Sequence, residues 1–284
     1  MSISINRSKA VRKYFTSTPS KPKQPDYSSA RKTMMIGGVL FVIALLILIC
    51  GGAIILLSIF LGIIAFIIWG NGSFEYSQKK QRYEEDLEQY KNDYAQAEPK
   101  PSDEQIDEWM DDDIANIIEE SLIKLDLEDG DYNANPLYIG GPANLDKTRY
   151  ALGEDGKIRY SHLNVLIVYL TDHNILTYEC VHTLIHGHTL SDITQEFPYK
   201  EITNLQIKTV NKKISFVNGN KDFVDGIHQF ALYTSGANVI KVTYSFSHNI
   251  DQQGELVTIG SEETIKAVRK KLEEYKKRYQ KYER

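Results

Sequence analysis

Three histidines fall within seven residues, at His182, His186 and His188, with Asp192 close behind. Imidazoles so spaced are ligands zinc favours, with a carboxylate or water completing the shell. On one strand His182 and His186 share a face, and His188 joins them only if the strand continues through Gly187. A glycine there predicts a turn, so a polar hairpin tip is expected and no metal is assigned. Cys180 stands two residues before His182, but no third group completes a nucleophilic pair. Leu127–Asp131 has the glycine and acids of a calcium loop, yet Leu125 and Leu127 occupy positions that must ligate. The stretch Tyr138–Pro142 reads Tyr-Ile-Gly-Gly-Pro, and its proline makes it a turn rather than a phosphate cradle. There is neither a Gly-x-Ser-x-Gly elbow nor a His-Glu-x-x-His pair. The expectation is a non-enzymatic protein with no catalytic residue, no cofactor and no metal.

Phosphate recognition is the other chemistry with residues to carry it. Lys147, Arg149, Lys157 and Arg159 flank Glu154-Asp155-Gly156, an Asp-Gly hairpin signal. A two-residue Asp155-Gly156 turn would place Arg149 and Arg159 on opposite faces of the sheet, because side chains alternate. Anionic-lipid binding is therefore kept only as an alternative.

The elements that would position such groups begin with an apolar run. Thr33 to Phe74 contains no charged side chain. As a single helix Met34–Trp69 would be roughly 54 Å long, against a hydrocarbon core of about 30 Å. The run divides at Gly51-Gly52 into Met34–Cys50 and Ala53–Trp69, each about the minimum spanning length. A transmembrane helical hairpin bounded by Met34 and Trp69 is the first reading, and one long kinked helix the alternative. Eight lysines and arginines against Asp26 precede the run, and Lys79, Lys80 and Arg82 follow it. Basic flanks stay cytoplasmic, and a hairpin keeps both there. This predicts an integral protein of the cell's inner membrane with both termini cytoplasmic. The spans hold no ionisable carboxylate, amine or imidazole, which fits an anchor and not an ion path. Gly37, Gly38, Gly62 and Ala65 would permit close helix approach. With only Cys50 and Cys180 present, no disulfide framework is expected.

Residues 1–33, rich in Ser, Thr, Lys and Pro, are expected to be a disordered basic tail near anionic headgroups. Residues 34–70 form the hairpin and 71–98 a juxtamembrane amphipathic helix. Within that helix Tyr76, Tyr83, Leu87, Tyr90 and Tyr94 keep the spacing of a heptad seam, open either to self-association or to packing on the same chain. Pro99 and Pro101 end it. Residues 99–135 then hold an acidic amphipathic helix and a turn. Ser102 with Gln105 is a capping box, and Ile106, Met110, Ile114 and Ile117 mark its apolar face. Residues 84–131 carry 19 acids and 3 bases, which excludes nucleic-acid binding by this part. Asp111, Asp112 and Asp113 are its candidate docking face for a basic partner, and the alternative is a solvated face.

From residue 136 onward the period changes to that of strands, broken by turn signals at Asp155-Gly156, Asp172-His173-Asn174, His186-Gly187-His188, Asn218-Gly219 and Ser235-Gly236. A last helix follows Gly260. Tyr169-Leu170-Thr171-Asp172-His173-Asn174-Ile175-Leu176-Thr177-Tyr178 and Glu196-Phe197-Pro198-Tyr199-Lys200-Glu201-Ile202 carry a strand-Thr-turn-strand and a Tyr-x-x-Ile pattern. In order and spacing, residues 145–284 resemble the bacterial pleckstrin-homology-like (GRAM-like) domains. The resemblance implies an antiparallel PH-like β-barrel or sandwich closed by a C-terminal helix, spanning 136–284, with a recognition or assembly role and no catalytic residues.

The fold class expected is thus an α+β membrane protein: a hairpin, acidic helices, then the β-domain. Its partners would be the lipid bilayer and either another protein or a second copy, with no nucleic acid. The alternative is an accessory or regulatory subunit of a larger membrane complex, such as a transporter or defence assembly.

Overall fold

The computed structural model describes residues 2–49, 55–128, 130–132, 135–144, 146–217, 222–235, 239–245, 255–256 and 261–282. The helices are α1 (Ser2–Tyr14), α2 (Ser28–Ile49), α3 (Ile55–Ala97), α4 (Asp103–Leu125) and α5 (Ser261–Tyr282). Between α4 and α5 lie β1 (Leu137–Pro142), β2 (Tyr150–Leu152), β3 (Lys157–Tyr160), β4 (His162–Leu170), β5 (Asn174–Thr183) and β6 (His188–Pro198). A 3-10 turn at Tyr199–Glu201 leads into β7 (Ile202–Ser215), β8 (Asp222–Thr234), β9 (Val239–Ser245) and β10 (Glu255–Leu256). The chain forms two compact units. Thr18–Gln96 is one, and Met1–Ser17 together with Ala97–Arg284 is the other.

In the first unit α2 and α3 pack as an antiparallel pair. Lys79 Nζ donates to the Asp26 carbonyl at 3.3 Å, Tyr27 and Tyr76 bring ring centroids to 4.8 Å, and Ser29 donates to Glu75 at 3.3 Å. Further along, a Cβ on Gly37 would come within 2.6 Å of the Trp69 nitrogen, and one on Gly72 within 2.8 Å of Met34. Small residues allow this approach, with Ala30, Ala44 and Ala65 buried in the same seam. Gly38 and Gly62 face open space. Around the seam Met35, Phe41, Leu46, Leu56, Phe60 and Phe66 are exposed. Both helices are long and apolar enough to cross a membrane. The division expected at Gly51-Gly52 lies outside the described residues. A separate helix over 71–98 is not found: α3 runs unbroken from Ile55 to Ala97, with Gly72 inside it lying close against Met34 and Ala30.

In the second unit the central sheet has the order β1-β4-β5-β6, antiparallel throughout. β4 is buried on both faces. Leu163, Val165, Ile167 and Tyr169 join Ile106, Met110, Ile114 and Ile117 of α4 in one core. Leu166, Val168 and Leu170 join Ile265, Val268 and Leu272 of α5, with Phe230 and Leu232 of β8, in the other. Two further sheets, β10-β3-β2 and β7-β8-β9, complete the unit. Its antiparallel strands and closing helix are as expected. A barrel is not found: among the described residues no sheet closes on itself, and β10 pairs with β3 in parallel. The Tyr-x-x-Ile pattern fastens a corner. Tyr199 donates to the Thr171 carbonyl at 2.9 Å and stacks on Tyr275 of α5, while Ile202 enters the same core.

The expected disorder of residues 1–33 is corrected over α1. Arg7, Val11, Tyr14 and Phe15 recur at helical spacing, and Val11 and Phe15 are 0% exposed in the core shared with α4. Burying each such side chain contributes about 1.5–3 kcal/mol, so the docked core face, not local propensity, stabilises this short basic helix.

Candidate functional site

Polar chemistry concentrates where α1 meets α4 and the central sheet. Two arginines there are held by the acids of α4, one from before the hairpin and one from after it.

The first is Arg7. Its guanidinium pairs with Asp113, donates to the Trp109 carbonyl at 3.1 Å and lies 5.7 Å over the Trp109 ring. The same Asp113 oxygen accepts from His182 Nε2 at 2.9 Å. Asp113 is 2% exposed. A carboxylate so desolvated is tolerated only with its partners in place. The docking face expected at Asp111, Asp112 and Asp113 is therefore divided. Asp111 and Asp112 are exposed, and Asp113 points inward to a basic partner within the same chain.

The second is Arg159 on β3, also 2% exposed. It grips Asp107 through two bonds, Nε to Oδ1 at 2.7 Å and Nη2 to Oδ2 at 2.6 Å. Asp155 accepts two more, both at 2.9 Å. The Tyr14 hydroxyl donates to Asp103 at 2.6 Å, which ties α1 into this cluster as well. Burial first, then that carboxylate, holds the Tyr14 hydroxyl well above the usual phenol range. Hydrogen bonds from Arg159 chiefly hold Asp155 down at about 2.

Arg159 is thus committed and not free for a phosphate. The register also differs from the expected two-residue turn. Leu152 pairs with Ile158 and Ala151 with Arg159, and the Gly153 amide donates to the Lys157 carbonyl at 2.8 Å. The loop is longer than two residues, with Gly156 at φ +79°. Ser161 then donates to the Arg149 carbonyl at 3.0 Å, so alternation puts Arg149 and Arg159 on one face. Arg149 spends its guanidinium on the Phe15 carbonyl at 3.3 Å.

The histidines separate. His182 turns inward to Asp113, while His186 meets Arg12 at 3.3 Å and lies 5.7 Å from the His188 ring. His186 and Gly187 form the expected turn, with Gly187 at φ +61°. Among the described residues no three His, Cys, Asp or Glu side chains gather around one point. Cys180 is buried, and burial, aided by Glu120 and Asp192, pushes its thiol up to about 12. Such a thiol stays protonated and unreactive near neutral pH.

The seam residues Tyr83, Leu87, Tyr90 and Tyr94 belong to neither core cluster, while Tyr76 stacks on Tyr27. What sequence reasoning missed is the role of Arg7 and His182 as partners of Asp113. The signal was the spacing of Arg7, Val11, Tyr14 and Phe15, obscured by the surrounding charge. No family model, curated protein or solved structure matches this chain.

Proposed function

We propose that this chain is a non-enzymatic membrane-anchored protein whose α2–α3 hairpin enters the bilayer and returns, leaving a recognition or assembly domain on the cytoplasmic side. One observation carries the topology. Val11, Tyr14 and Phe15, which precede the hairpin, lie in one core with Ile106 and Met110, which follow it. A segment that leaves a folded unit and re-enters the same core starts and finishes on one side of any membrane it crosses. That requires an even number of crossings, and α2 with α3 supplies two. The exposed apolar side chains around the helix pair supply the surface that lipid would cover. Basic flanks favour the cytoplasmic side of the inner membrane.

Recognition by the β-domain of another protein, or of a second copy, is supported by β6. It ends the central sheet, with no strand paired to its outer edge among the described residues, and it exposes Leu190 and Ile193. Such an edge offers unpaired backbone donors and acceptors to an added strand. The pleckstrin-homology-like relationship belongs to this proposal and rests on the corner built by Tyr199 and Ile202.

Single cysteines at Ser17→Cys and Ser261→Cys test the topology. In intact cells both should resist a membrane-impermeant thiol reagent, and both should react after permeabilisation. Labelling of either from outside would overturn the proposed arrangement.

A further inference from the structure

We propose that the part of α3 beyond its contacts with α2 pairs with the same segment of a second copy of this chain, as a short parallel coiled coil over residues 76–96. This rests on the anchored topology above, which fixes two neighbouring copies in one orientation.

The contacts with α2 and with Asp26 and Tyr27 just before it end at Glu75, Tyr76 and Lys79. From there to Gln96 the helix carries Tyr83, Leu87, Tyr90 and Tyr94, at intervals of 4, 3 and 4. These are the d, a, d and a positions of a heptad. Tyr90 and Tyr94 already share a face, with ring centroids 5.7 Å apart. Neither core cluster includes any of the four.

The flanking charges select the occupant. With Leu87 at a, the g positions whose e partner five residues further on lies within the segment are Lys79 and Asp86, and those e residues are Glu84 and Lys91; the third g residue, Asp93, has its e position beyond the segment. In a parallel pair each g residue meets the partner's e residue of the next heptad. Lys79 then meets Glu84, and Asp86 meets Lys91, so both contacts join opposite charges in each direction. Lys79 and Lys80 now pair with Glu75 and Glu84 of their own helix, at 2.7 and 3.8 Å. These pairs are exposed, and exchanging them for partners across the seam costs little. Lys80 takes the first a position, where a single polar residue fixes register.

About two heptads of seam are too few for a stable coil between chains free in water. Anchoring raises the effective concentration of one copy about another and removes the antiparallel alternative.

The full-length chain in its own membranes, with Cys50→Ser, tests this by disulfide trapping with a mild oxidant. Cys180 is buried and stays in place. Leu87→Cys should give a covalent dimer. Glu85→Cys, on the outer face, should give at least about tenfold less, since seam and outer positions of a coil diverge. Reversing the g charges with Lys79→Glu and Asp86→Lys should lower the Leu87→Cys dimer about tenfold or more, because four attractions become repulsions. Adding Glu84→Lys and Lys91→Glu should restore it. Equal yields at positions 87 and 85, or no rescue by the fourfold reversal, would overturn the proposal. So would a product whose mass shows a different protein attached at Leu87→Cys. Alkaline extraction of the same membranes separates the two ideas. A chain retained but not trapped defeats only the coil, whereas a chain released defeats the anchor beneath it.

Discussion

β4 and α2 are both apolar runs, and they meet opposite fates. β4 hides both faces, with alternate residues entering cores capped by α4 and by α5. α2 is apolar on every side, yet only Ala30, Gly37 and Ala44 are buried. A strand's period of two divides its side chains between two layers that the chain itself supplies. A helix with an apolar surface all round needs more cover than one neighbour can give. The contrast teaches that hydropathy sets how much surface must leave water, while topology decides how much of it the chain itself can cover.

The comparison breaks most sharply at Asp113. Asp113→Ala leaves the buried His182 and the half-buried Arg7 without their carboxylate, and should cost the globular unit about 3 kcal/mol. Thermal unfolding in mild detergent reads the loss, while retention in the membrane fraction should be unchanged. A variant as stable as the parent would show that the Arg7–His182 pair is not held by this charge.

The reverse experiment disturbs only the helix pair. Gly37→Leu drives a side chain into the Trp69 backbone, where even a Cβ would lie 2.6 Å from nitrogen. Overpacking of this kind costs about 1–3 kcal/mol. Disulfide formation between Ser29→Cys and Glu75→Cys should fall, and the unfolding temperature of the globular unit should not move.

Acid gives the smallest and most selective separation. The helix pair has no charged group between residues 33 and 74. In the globular unit burial first, then the Lys147 charge, pushes His162 down to about 4. An unfolded histidine takes its proton near 6.5. Between about pH 6.5 and 4 the unfolded chain therefore binds the extra proton, and stability falls as pH falls. Asp155, held at about 2, adds a loss in the same direction below about pH 4. The unfolding temperature should drop on acidification from pH 7 to pH 4.5, and His162→Gln should flatten that slope. A slope unaltered by His162→Gln would assign it to other groups.

Local signals were legible and long-range ones were not. The Ser102 cap was readable, since its hydroxyl accepts from the Gln105 amide at 3.3 Å within one turn. So were the apolar face of α4 and the turn at Gly187. The apolar parts of α2 and α3 followed from hydropathy alone, whereas the unbroken continuation of α3 to Ala97 did not. α1 was not legible, because its helix is stabilised by Ile106 and Met110, about a hundred residues away. Nor was the register of β2 against β3, where Asp103 accepts from the Glu154 amide at 2.7 Å and draws the loop open beyond two residues. For the site, the sequence named Asp113 and His182 separately. Only the fold joins them directly and adds Arg7 as the second partner of Asp113.

The place of α1 in the core also sets an order of events during synthesis. Arg12 and His186 are 174 residues apart. At about 5–20 residues per second, the ribosome needs on the order of 10 s or more between them. α1 emerges before the surface that receives it exists and, in the topology proposed above, waits while the apolar segment is delivered to the bilayer. Its docking is then a late proofreading event. A chain whose hairpin has inserted with its flanks on opposite sides cannot bring α1 back, and keeps Val11 and Phe15 in water where quality control can find them.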